Sequence, residues 1–110
     1  MERGRERRAH PRIQIKLKVE YTSLADFFVD YATDISHGGM FVATDREITV
    51  GNPVSVRLVL PGTKDVFQAS GKVVRKSDKP AKGVGIKFDP LSDTAKVLVE
   101  KLWEKHIKET

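Results

Sequence analysis

The sequence predicts an all-β domain capped by one C-terminal helix, with six short strands closed into an antiparallel barrel. Three observations predict it. Ile13 to Tyr21 alternate apolar and polar side chains without a fault, the mark of a strand with one wet face. Turn clusters then recur at near-regular spacing, and short strands so spaced form barrels or sandwiches. A two-sheet sandwich is the main alternative. Beyond Pro90 the apolar period changes from that of a strand to that of a helix.

The elements follow in order. Pro11 biases His10 to an extended backbone, which separates the first residues from the first strand. Thr22 to Asp26 reads as a turn. Phe27 to Ile35 is a second strand, with Phe27, Val29 and Tyr31 on one side and Phe28, Asp30 and Ala32 on the other. Met40 to Ala43 is a short third strand, and Thr44 to Thr49 a loop. Val54 to Leu60 alternates well and forms the fourth, followed by the turn cluster Pro61 to Asp65. Val66 to Lys76 is the fifth, with Gly71 expected as a bulge or bend. Gly83 to Phe88 is the sixth, and its two glycines leave one face clear for another backbone or a ligand. Ser92 is the expected N-cap of a helix from about Leu91 to Lys108, with Leu91, Ala95, Leu98 and Leu102 as its apolar line. Trp103 and the phenylalanines read as core.

The totals narrow the function. The 110 residues amount to one domain: an arginine-rich, flexible arm over 1–12 and a barrel with its helix over 13–110. With no cysteine there is neither a disulfide nor a thiolate metal site. No apolar run reaches membrane-spanning length, and the charged start lacks the apolar stretch of a signal peptide. A soluble, cytoplasmic protein is expected. The net charge of +5 is concentrated: residues 1–12 hold five Arg against two Glu, and residues 72–87 hold five Lys and one Arg against one Asp. Two basic zones suit an anionic partner.

Two short motifs carry the chemistry. Arg8 and Arg12 stand four apart, with Arg7 before them. Guanidinium forks can grip phosphate or the O6/N7 edge of guanine. Asp34 and Ser36 stand two apart at the end of the second strand, where a strand would point both to one face, and Gly38 and Gly39 follow. The carboxylate can accept the N–H groups of a guanine edge. The serine can donate to phosphate, and the glycine amides can form an anion-binding nest. Together these groups fit a purine nucleotide. His10 and His37 lie close by, but three histidines in the chain without a ligand pattern make a metal site unexpected. No nucleophile or acid/base constellation is present, so an enzyme is not expected.

With these motifs the sequence resembles the PilZ domain, the bacterial receptor module for cyclic di-GMP. The first signature, Arg-x-x-x-Arg, stands as Arg8-Ala9-His10-Pro11-Arg12, and the second, Asp/Asn-x-Ser-x-x-Gly, as Asp34-Ile35-Ser36-His37-Gly38-Gly39. Gly83 to Phe88 is similar to the family's closing strand. The resemblance implies a six-stranded antiparallel PilZ-type β-barrel with a C-terminal helix. It also implies ligand-binding roles for Arg7, Arg8, Arg12, Asp34, Ser36 and Gly39; Gly38, through its amide, and Arg75, whose guanidinium can stack on a purine or pair with phosphate, are additional candidates. Arg7 points to an intercalated cyclic di-GMP dimer. Several relatives carry an aromatic near the end of the fifth strand, where this chain has Val74-Arg75. No cofactor beyond the ligand is implied.

The leading expectation is thus a non-catalytic receptor in which cyclic di-GMP orders the arm and a partner protein, unidentified, reads the result. The alternative is a degenerate PilZ-type interaction module that binds no nucleotide. A basic nucleic-acid-binding barrel comes third, because the aromatic interleaving of a base-stacking platform is missing. Nucleic acid is therefore not an expected partner.

Overall fold

Alternation becomes architecture in the computed structural model, which describes residues 13–79 and 81–109. Six strands and one helix follow one another: β1 (Ile13–Ser23), β2 (Asp26–Ile35), β3 (Gly39–Ala43), β4 (Pro53–Val59), β5 (Val66–Ser77), β6 (Gly83–Phe88) and α1 (Asp93–Glu109). All neighbouring strands run antiparallel. They close into a barrel in the order β1-β2-β3-β6-β5-β4. The barrel, not the sandwich, is the answer.

Inward residues of every strand meet in one core. Val19 and Tyr21 of β1, Ala32 and Ile35 of β2, Met40 and Val42 of β3, and Val54, Val56 and Leu58 of β4 are buried. Phe67 and Val73 of β5 and Val84, Ile86 and Phe88 of β6 complete the wall. Ala95, Leu98, Val99 and Leu102 close the core from α1, the helical stripe that the periodicity predicts. Ser92 caps this helix, its Oγ accepting from the Ala95 amide at 3.1 Å.

Closure is uneven. β1 meets β4 only from Glu20 opposite Arg57 to Ser23 opposite Val54. The earlier residues of β1 have β2 as their one strand neighbour. A cleft of about 210 Å³ lies at the end of this seam, lined by Lys18, Glu20, Arg57, Leu58 and Val59.

Several expectations are corrected. β1 runs on through Thr22 and Ser23, where a turn is expected, because Ser23 is buried and its hydroxyl donates to the Pro53 carbonyl at 3.1 Å. The bulge of β5 lies at Val74, where the register with β6 shifts between Val73 and Arg75. Gly71 instead stays in register with both Val54 and Phe88. Trp103 is 41% exposed, and Phe27 is 60% exposed, so neither is core.

Candidate functional site

The register assembles one row of residues on the outer face of the barrel. Gln14 of β1 lies opposite Asp34 of β2, and Asp34 opposite Phe41 of β3. Phe41 lies opposite Gly85 of β6, and Gly85 opposite Arg75 of β5. Directly opposed residues point to the same face of a sheet. Three register shifts border the row, between Gln14 and Leu17, between Ala32 and Asp34, and between Val73 and Arg75. Bulges re-aim side chains. The one at Val74 leaves Val73 in the core and turns Arg75 outward.

Arg75 fills the face that Gly85 leaves clear. A Cβ at Gly85 would stand 3.0 Å from the Arg75 Cγ and 3.1 Å from its Nε. The guanidinium reaches across to Phe41, 5.3 Å from the ring centroid, which is cation–π range. Phe41 is buried as expected, at 8% exposure, but lies outside the main core cluster, on the Arg75 side of β3. An aromatic ring therefore lies beside the second motif after all, supplied by β3 instead of by β5. Around this row the surface is basic: Lys72 and Lys87 stand opposite each other, and Lys87 stands opposite Gly39. Lys16 Nζ lies 5.4 Å from the Tyr31 ring centroid on the same outer face.

The turn after β2 is tied to itself and to β6. The Ser36 amide donates to the Gly39 carbonyl at 2.9 Å, and the Phe88 amide to the Gly38 carbonyl at 2.9 Å. The Gly38 amide donates to Ser36 Oγ at 3.1 Å. Ser36 is 1% exposed and lies past the end of β2, so it does not share a strand face with Asp34. The Gly38 amide is engaged by the serine, which removes it from the expected anion nest. Gly39 is required for space: a Cβ there would overlap the Ile86 carbonyl. Asp34 is half-buried, and Asp34, Ser36 and His37 are each engaged in an interaction. Nε2 of His37 lies 3.6 Å from Oε2 of Glu100 on α1. Arg7, Arg8 and Arg12 lie outside the described residues.

A second polar cluster runs from the buried Tyr21 out to the exposed Arg46. The Tyr21 hydroxyl donates to Asp30 Oδ2 at 2.7 Å, and Arg46 Nε donates to the same oxygen at 3.1 Å. The Arg46 guanidinium lies 4.9 Å from the Phe28 ring centroid, and Phe28 stacks tilted on Tyr21 with centroids 5.3 Å apart. Burial, reinforced by the Asp30 carboxylate, pushes the Tyr21 phenol well above its ordinary pKa. This cluster satisfies its own members and is structural. Among the described residues no group of three His, Cys, Asp or Glu is placed to hold a metal ion. Among the described residues no helix is long and apolar enough to cross a membrane.

Comparison with known proteins completes the picture. The profile of the PilZ domain matches residues 6–104. No curated protein matches in sequence. Among solved structures, the inhibitor of motility (MotI/DgrA) of Bacillus subtilis is similar with a TM-score of 0.77 and 17% identity. That match takes in 94% of this chain and 53% of the inhibitor, so the chain spans about half of that protein. The PilZ domain with c-di-GMP of YcgR from Escherichia coli is similar with a TM-score of 0.71 and 19% identity, over 94% of this chain and 93% of that one. The PilZ domain of CeSA from a cellulose-synthesizing bacterium has a TM-score of 0.62 and 21% identity, over 84% and 93%.

Proposed function

This chain belongs to the PilZ domain family, and on that premise we propose that it is a non-catalytic, cytoplasmic receptor for cyclic di-GMP that signals through a partner protein. The observation that carries the reading is the register at the start of β1. Gln14 lies opposite Asp34, and Arg12 is two residues before Gln14. The first residues of β1 thus lie beside the Asp-x-Ser motif, and the Arg-x-x-x-Arg motif ends at the residue before β1 in the sequence.

In this reading Arg8 and Arg12 grip guanine and phosphate from the arm, and Asp34 accepts the N–H groups of a guanine edge. Ser36 and Gly39 hold the turn that presents Asp34. Arg7 favours an intercalated ligand dimer. Arg75, spread over Phe41, offers the outer face of a guanidinium on which a purine can stack. Ligand binding orders the arm against the Asp34 side of the barrel.

The second reading, a protein-interaction module that binds no nucleotide, draws on the outer face of β2. Phe27, Val29 and Tyr31 are 60%, 38% and 48% exposed there, more apolar surface than an isolated domain needs. Isothermal titration of the purified protein with cyclic di-GMP separates the two, with GTP and a single-stranded oligonucleotide as controls. Saturable heat for the dinucleotide alone supports the receptor, and its stoichiometry reports monomer or dimer. No heat from a folded protein selects the interaction module.

A further inference from the structure

Arg3 and Arg5 have no part in the ligand reading, and one feature of the barrel fits them. A cleft of about 300 Å³ separates the turn after β2 from α1, lined by His37, Val99, Glu100, Trp103 and Glu104. Its floor is apolar: Val99 is buried and Trp103 is 41% exposed. Its rim is acidic, because Glu100 and Glu104 stand four apart on α1 and so lie on one helix face. Among the described residues no lysine or arginine lines it. An indole face beside two carboxylates is the setting a guanidinium prefers, since the planar cation can stack and donate at once.

The arm is within reach. Ile13 lies opposite Ile35, so the chain enters β1 two residues from His37 along the turn strand. Twelve extended residues span up to about 40 Å. The arm also has the complementary charge, five Arg against two Glu over residues 1–12. We infer that, without ligand, the arginine-rich arm docks in the cleft between the turn and α1, with Arg3 or Arg5 against Trp103 and the Glu100–Glu104 pair.

One consequence rests on the receptor reading. An arm held on α1 is not available to close over a ligand beside Asp34, so the docked state weakens apparent affinity by the fraction of time the arm is away. His37 joins the two places, because it belongs to the turn and contacts Glu100 at 3.6 Å.

Trp103 is the single tryptophan of the chain and reports on the contact directly. The test compares acrylamide quenching of its fluorescence in the ligand-free wild type, in the double substitution Arg3→Gln with Arg5→Gln, and in Glu100→Gln with Glu104→Gln. Both variants should expose Trp103 and raise the quenching constant, with unchanged thermal melts. Both should also bind cyclic di-GMP tighter, about three- to ten-fold if the arm is docked for most of the time. Unchanged quenching in both variants overturns the inference. The fluorescence readout needs no ligand, so a chain whose quenching changes but which takes up no cyclic di-GMP would sink the receptor reading and leave the arm contact standing.

Discussion

Replacing Asp34 by Ala removes one half-buried carboxylate from the outer row and leaves the core untouched. It should weaken cyclic di-GMP binding by about 1–3 kcal/mol, read by titration, with little change in Tm. Gly39→Ala should strike the fold itself. Its Cβ would overlap the Ile86 carbonyl, a backbone atom that cannot step aside, so stability should fall by about 1–3 kcal/mol in a thermal melt. Tyr21 carries a pH signature. Burial holds its phenol above the ordinary tyrosine value in the fold, so above about pH 10 the unfolded chain sheds a proton that the folded chain keeps. Stability should therefore decline with pH from about 10 upward, and Tyr21→Phe should flatten that decline in denaturant melts at pH 9 and 11. The place of Asp34 at the end of the second strand was legible in the sequence. The outward turn of Phe41 was not: Met40-Phe41-Val42 is one apolar run, and which member faces out is decided by pairing with β6.

At the scale of elements, periodicity located all six strands and the helix, because one-sided burial leaves a period in the chain. It failed where burial is achieved by polar atoms. Thr22 and Ser23 read as a turn, yet the Ser23 hydroxyl finds the Pro53 carbonyl on the neighbouring strand β4 and the strand continues. The bulge was misplaced for a related reason. Gly71 is the residue a sequence would choose, whereas the extra residue falls at Val74 because β6 contributes Gly85 opposite Arg75. In α1 the Ser92 cap was legible, and Ser92→Ala should cost about 1 kcal/mol, measured as a lowered melting midpoint. Trp103 lay beside the apolar stripe in the sequence, and only the packing of α1 shows that it borders a cleft.

For the whole molecule, a ligand at a hundred times its Kd adds about 2.7 kcal/mol of stability, which in a domain of this size raises Tm by on the order of 10 °C. A melt series in cyclic di-GMP without any such rise would contradict the receptor reading independently of calorimetry. The uneven closure of the barrel adds a time scale to this picture. Residues 13–19 of β1 hang on a single neighbouring strand, whereas 20–23 are held on both sides. Segments with fewer ladders open at lower free energy, so amide protons at 14–19 should exchange with deuterium faster than those at 20–23. The arm is joined to the faster segment. On the receptor reading, clamping the arm on a nucleotide should slow exchange there first, and the half-tethered strand would then be a clock that records ligand occupancy before any partner reads it.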